Sequence, residues 1–291
     1  MAKTAYRKPK KKVHVFDIVN YIVFILIGLL VLVPIWKVVV DSFNAVGVYQ
    51  FRLWPEDFTL DGYKTIIHTQ RLYRPFINSV ITTVLGTFLG LLLSTLGGYV
   101  LIQFDMPGRN FFAYFLLFTM IFSGGMIPEY LVMKQLHLVN SMWILVVKHG
   151  MNVYNLVLMR NFFEGIPASL FEAAEIDGAN AFDKFFRITM PCVAPVLVYQ
   201  GILNIINSFQ YFTQVYVIIN ASSGGGASNA SGGPANSILM YPLYLFNTAF
   251  SYMKMGRASA MAWLLFVIVF VLTLVMTRIT KKVSENGVGG E

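Results

Sequence analysis

Residues 161–191 read NFFEGIPASLFEAAEIDGANAFDKFFRITMP. Ser169 is followed three positions later by Glu172, the spacing of a capping box, in which a serine opens a helix and a glutamate returns to its first amide. Ala173 and Ala174 favour helix, and Gly178 supplies the left-handed residue at which helices commonly stop. Asn180 can cap a second helix, with Asp183 at its third position, running to Pro191. The segment therefore predicts two short helices joined at an angle. Leu170, Phe171, Phe182, Phe185 and Phe186 give it more apolar surface than a solvated link needs. Rimmed by Glu172, Glu175 and Asp177, that surface is a candidate docking face for another protein.

The chain around this segment is built for a bilayer. Of its 291 residues 56% are hydrophobic and only 12% are charged, whereas soluble domains carry about a quarter charged residues. Apolar stretches near the spanning length of about 20 residues recur at 18–40, 79–102, 111–132, 141–160, 193–219 and 259–279. The expected fold is an all-α membrane protein of six transmembrane helices occupying 18–280, with 165–191 as a loop between the fourth and fifth. Residues 1–17 form a basic arm, 221–237 a Gly/Ser-rich loop on the opposite side, and 281–291 a polar tail.

Basic residues set the expected orientation. Lys3, Arg7, Lys8, Lys10, Lys11 and Lys12 precede the first span, and Arg278, Lys281 and Lys282 close the last. Both termini, Arg109 and the 160–192 segment are thus expected in the cytoplasm, with the chain spanning a plasma membrane. A basic run beside a span anchors it, so the net charge of +8 does not call for nucleic acid. The basic start leads into an apolar segment of full spanning length, so no cleavable signal peptide is expected. The single cysteine, Cys192, excludes an intrachain disulfide. His14, His68, His137 and His149 are too scattered for a metal motif.

With these residues in place, the segment resembles the EAA loop of binding-protein-dependent ABC importers. Glu172-Ala173-Ala174, three residues, Gly178, nine residues, Ile188, one residue and Met190-Pro191 follow that loop's pattern, with Met190 where leucine is usual. Trp54-Pro55 through Asn78-Ser79, Gly98-Tyr99, Pro107-Gly108-Arg109 and Met126-Ile127-Pro128 are similar to the carbohydrate permeases of the maltose type (MalG-like). Gly150 to Asn155 with Arg160 to Phe163 resembles their LplC/YtcP-like subgroup, associated with complex glycans. The resemblance implies the MetI-like, type I importer fold and a transport subunit rather than an enzyme. ATP and Mg would sit on a separate ATPase, leaving no cofactor on this chain. Phe171, Glu172, Ala173, Ala174, Asp177, Gly178, Ile188 and Pro191 would couple to that ATPase, although Glu172 could equally just cap its own helix. The implied partners are a second, homologous permease forming a heterodimer, two ABC ATPase subunits, an extracellular solute-binding protein and an oligosaccharide or polysaccharide fragment. The Gly-rich end, Asn286 to Gly290, is similar to tails that reach between ATPase subunits, but lacks their usual lysine.

Polar groups inside spans are costly and face protein or water. Gln200, Asn204, Asn207, Ser208, Tyr211 and Gln214 recur near i, i+4, i+7 and i+11, one face of a helix. Asn152 and Asn155 in the fourth span, near Lys148, His149 and Tyr154, supply more amides. Amides that pair with hydroxyls, beside aromatic rings, suit a sugar path; interhelical hydrogen bonding is the alternative. Two other classes are disfavoured. The spans offer no nucleophile–base pair or metal dyad for an intramembrane enzyme. They are almost free of Asp and Glu, unlike many self-contained secondary transporters, and no GxxxxGK[ST] motif is present. A non-sugar solute on the same machinery stays open.

Overall fold

A computed structural model describes residues 15–44, 51–103, 105–139, 141–150, 152–222 and 238–288. The basic arm lies outside them up to residue 14, as do 223–237 of the expected outer loop and the last residues of the Gly-rich tail. The described residues are helical, with no strand beyond an isolated bridge between Asn44 and Phe58. Four helices are long and apolar enough to cross a membrane: Val15–Ser42, Leu72–Ile102, Ala181–Phe209 and Met255–Ile279. They belong to α1 (Val15–Ser42), α3 (Gln70–Ile102), the run ending in α10 (Met190–Phe209) and α13 (Met255–Val288). A short α2 (Asp61–His68) precedes α3.

The expected third span, 111–132, is instead two helices, α4 (Arg109–Ile121) and α5 (Met126–Gln135), bent by 120°. Ser123-Gly124-Gly125 lies at the bend, and Gly125 adopts φ +83°, a conformation an L side chain resists. The expected fourth span is likewise broken into α6 (Trp143–Gly150) and α7 (Val153–Glu164). Asn152 is extended there and its side chain accepts from the Asn155 amide, so it starts a new helix. Counting the bent pair as one, up to five spans meet the length test, not six continuous helices.

The fifth span is displaced from its expected place. Helix runs without a stop from α9 (Ala181–Asp183) through a π turn (Lys184–Thr189) into α10, so Pro191 closes nothing. α10 then ends at Phe209, and α11 (Thr213–Ser222) begins after a short interruption. A stretch with no helical periodicity, Ile238 to Met240, is buried inside the bundle ahead of α12 (Tyr241–Phe246). Asn78 donates to the Leu239 carbonyl and Ser79 accepts from the Tyr241 amide, which satisfies backbone that helix would otherwise satisfy.

α3 is the hub, packing against α6, α7, α10, α12 and α4. Its inner face carries Gly86, Gly90, Ser94 and Gly98 at four-residue intervals, the small-residue ridge that lets membrane helices approach closely. A Cβ on Gly86 would stand 2.8 Å from the His149 ring, and one on Gly98 3.1 Å from the Arg160 backbone nitrogen. α1, by contrast, is exposed over most of its length and meets the bundle chiefly along α13. Outside the membrane-spanning helices, Arg52 pairs with Glu56, and the pairing holds the carboxylate below and the guanidinium above their usual ranges.

The ridge makes a graded prediction. Gly86→Ala forces the His149 ring to move and is expected to destabilise the detergent-solubilised protein by about 1–3 kcal/mol. Gly90→Ala meets its nearest neighbour at 3.3 Å and gains roughly 0.5–1 kcal/mol of helix propensity, so it should be near neutral. Thermal unfolding followed by fluorescence-detected size exclusion separates the two. Equal behaviour would mean that the ridge does not set the helix spacing.

Candidate functional site

Two features stand out along the axis of the bundle: an exposed helical elbow at one end, and a polar cleft where two spans are interrupted. In the elbow, α8 (Ala168–Ile176) starts after Pro167, not at a Ser169 cap; no side chain caps its first amides. Proline fixes φ near the value a helix entry requires, and Ser169 therefore sits inside the first turn. The C-terminus matches expectation more closely. Gly178 adopts φ +77°, its amide bonds to the Glu175 carbonyl, and the Ala179 amide bonds to Ala174. These two bonds form a Schellman motif. Asn180 Oδ1 accepts from the Asp183 amide at 2.9 Å and so opens the second helix.

The elbow is braced from within. Lys184 Nζ meets Glu175 Oε1 at 2.6 Å, and Ala174 is buried under the turn. Phe185 leaves the π turn to pack edge-on against Tyr99 of α3, with ring centroids 5.0 Å apart. Of the expected coupling residues, Glu172, Ala173, Asp177, Gly178 and Pro191 are exposed, while Phe171 and Ile188 are half-buried. Leu170, Ile176, Phe182 and Phe186 are also exposed, and Ile176 retains 87% of its accessible surface. The elbow thus presents an apolar face that none of the described residues covers.

The cleft, about 430 Å³, is lined by Lys148, His149, Asn152, Asn204, Asn207, Gln210, Tyr211, Phe212, Thr213 and Gln214. Two breaks in the helices, at residue 152 and at 210–212, meet there. Interrupted backbone is tolerated at membrane depth where it lines a cavity or is buried in protein. The expected stripe divides at this point. Asn204 and Asn207 on α10 reach the cleft, as do Tyr211 and Gln214, but Tyr211 lies in the break and Gln214 on the helix beyond it. Gln200 and Asn155 do not line it. Gln200, fully buried, donates to the Asn155 carbonyl at 2.8 Å and accepts from Ser94 at 3.3 Å. Asn155 Nδ2 donates to Asn204 Oδ1 at 3.0 Å. These bonds clasp α3, α7 and α10 together below the cleft floor.

Lys148 pairs with Glu129 of α5 at 2.5 Å, so the lysine carries its own counter-ion. Thr87, His149, Asn204 and Ser208 each hold a buried side-chain atom with no hydrogen-bond partner. Such atoms are rare in folded proteins; His149, Asn204 and Ser208 lie on α6 and α10, which border the cleft, and Thr87 lies on α3, packed against both. Among the described residues no group of His, Cys, Asp and Glu could hold a metal. The sequence reading missed Ser94, Gln210, Phe212 and Thr213. The four-residue repeat of small residues from Gly86 would have located Ser94; the others depend on a helix break that no glycine or proline marks.

Residues 108–285 match the model of a family described as the binding-protein-dependent transport system inner membrane component. The chain is 35% identical to the polygalacturonan/rhamnogalacturonan transport system permease protein YtcP of Bacillus subtilis, over 73% of this chain and 75% of the relative. It is 32% identical to protein LplC of the same organism, over 72% of each. Among solved structures it resembles a chain of a bacterial ABC transporter involved in the import of the acidic polysaccharide alginate. There the TM-score is 0.77 and the identity 25%, covering 91% of this chain and 96% of that one.

The clasp and the cleft wall should respond differently to substitution. Gln200→Leu removes interhelical hydrogen bonds and is expected to cost about 1 kcal/mol of stability. Asn207→Ala, on the cleft wall, should leave thermal stability in detergent within about 0.5 kcal/mol of the parent, as surface changes do. A loss at Asn207 as large as that at Gln200 would make the cleft wall part of the packing.

Proposed function

Because the chain belongs to the family of binding-protein-dependent transport system inner membrane components, we propose that it forms half of the path by which an ATP-driven importer moves a glycan fragment across the membrane. The chain is a membrane-embedded permease subunit of an ABC importer, and ATP hydrolysis belongs to a separate subunit. The observation that carries the coupling role is the elbow. It is a braced helix–turn–helix at the end of the bundle, with an uncovered apolar face and the EAA spacing.

On this reading α8 seats in a groove of an ATPase on the cytoplasmic side, where both termini also lie. Leu170, Phe171 and Ile176 supply apolar contact, Glu172 pairs with a basic residue of the ATPase, and Gly178 sets the sharp turn between the two helices. Nucleotide and Mg sit on two such ATPase subunits. Closure of the ATPase pair displaces the elbow, and the attached helices swing as rigid bodies between inward- and outward-facing states. A second, homologous permease completes the path, and an extracellular binding protein delivers the solute. In support of such a partner, a related fold appears in a bacterial alginate ABC transporter solved in complex with an alginate pentasaccharide-bound periplasmic protein.

The cleft supports a glycan as cargo. Asn152, Asn204, Asn207 and Gln214 offer amides for hydroxyl groups, and Tyr211 and Phe212 offer rings for the apolar faces of a sugar. The names of the relatives point the same way, since two are permeases for polygalacturonan/rhamnogalacturonan and for arabinooligosaccharides. Asn155 and Gln200 act on this path indirectly, by holding its floor.

The test is reconstitution of the chain with its co-purifying subunits and binding protein in vesicles, followed by ATP-dependent uptake of labelled oligosaccharides, neutral and acidic. Uptake that requires both ATP and the binding protein is the expected result. Glu172→Lys and Gly178→Val, the latter costing about 1–2 kcal/mol in the left-handed region, should reduce uptake at least tenfold while the chain stays in the membrane. Normal uptake by both variants would remove the elbow from the mechanism.

A further inference from the structure

Helix is continuous from the elbow into the fifth span, but it is not uniform. Residues 184–189 form a π turn, whose wider hydrogen-bond ring is a recurrent site of bending and of function within helices. Its closing residue, Thr189, is fully buried, and its hydroxyl donates to the Lys184 carbonyl at 3.2 Å. Along the chain, a displacement applied to α8 reaches α10 through this turn. Left to itself, a compliant turn would absorb the motion, and the spans would stay still.

Lys184 of the π turn pairs with Glu175 of α8, and one aromatic side chain of the turn reaches α3. Phe185 packs edge-on against Tyr99 near the end of α3, and Tyr99 packs edge-on against Phe163 of α7, with centroids 5.9 Å apart. Phe163 is itself buried in a cluster with Met159, Val193 and Val196. The contact therefore joins the soft point of the elbow to α3, the helix against which α6, α7 and α10 all pack. Gly98, next to Tyr99, seats α3 on the Arg160 backbone, so Tyr99 has little room to yield.

We propose that Phe185, keyed against Tyr99, is the positioning residue that stiffens the π turn and carries displacement of the elbow into α3. This rests on the reading that an ATPase docks on α8. Without the key, the elbow would move relative to α3 and nucleotide energy would be dissipated in the turn. Neither residue lies on the exposed face offered for docking.

The test uses the assembled complex, with the partner subunits free of cysteine. In a Cys192→Ser background, nitroxide labels are placed at Ala181→Cys, an exposed residue on the elbow side of the π turn, and at Gln103→Cys, an exposed residue just past α3. Distances are measured with and without ATP and vanadate. In the parent the distance should hold steady, because the keyed elbow and α3 move together. In Phe185→Ala and in Tyr99→Ala it should shift on nucleotide binding by on the order of 2 Å, the scale of helix shifts at packed interfaces. Phe185→Leu, which refills the contact, should restore the parental result. A steady distance in both alanine variants, or a shift in the parent itself, overturns the proposal. So does loss of the ATPase from Phe185→Ala alone, which would make the ring part of the docking face. If the parent binds no ATPase, the docking reading fails first and this one falls with it.

Discussion

Four small residues on one face of α3, Gly86, Gly90, Ser94 and Gly98, set how near α6, α7 and α10 can come. In a bilayer no hydrophobic force draws helices together, so close approach must be secured by packing and by hydrogen bonds. The ridge permits both. His149 rests where Gly86 has no side chain, and the Asn204 amide reaches to 3.3 Å from the Cβ position of Gly90. Ser94 reaches Gln200, and Gln200 reaches the Asn155 backbone. A side chain at Gly86, where the His149 ring stands 2.8 Å from the Cβ position, would push the helices apart and open a gap for lipid or water.

That close packing is what allows the neighbouring helices to be broken. Backbone freed from helix inside a membrane needs a partner in the protein or in an aqueous cavity. Three of the described interruptions have one. Asn152 caps the start of α7, Asn78 and Ser79 receive the segment before α12, and the last turn of α10 tightens so that the Gln210 and Tyr211 amides bond to Asn207 and Ser208. Two of these interruptions converge on the cleft. Its polar character thus follows from the same breaks that disqualify α6–α7 and the end of α10 as simple spans.

Hydropathy made the membrane class and the approximate span positions legible, because a 20-residue apolar run has few other uses. Local chemistry did as well at Gly178 and Asn180, where conformation is decided by the residue itself. It failed at Ser169, because Pro167 two positions earlier fixes the entry of α8 and leaves the serine no cap to make. Periodicity placed Gln200 through Gln214 on one helix face, since it assumes that the helix continues. The break at 210–212 carries no glycine or proline, and Tyr211 and Phe212 within it pack against a core cluster that the local sequence does not reveal. Periodicity also cannot rank depth. Gln200 and Asn207 share a sequence pattern, yet one is sealed beneath α3 and the other borders the cleft.

Stiff and soft regions alternate from the elbow to the cleft, and their order matters for transport. The elbow is braced by the Glu175–Lys184 pair and a Schellman turn; the π turn behind it is soft; the aromatic layer of Tyr99, Phe163 and Phe185 is packed. Beyond that layer the amide clasp ties three helices together, and only then does the chain reach the broken helices of the cleft. A polar cleft bounded by breaks can change shape at low cost, since few helical hydrogen bonds have to be given up. A clasped bundle cannot. Motion that passes the keyed turn would therefore be expressed at the cleft, because the aromatic layer and the clasp are the parts least able to deform.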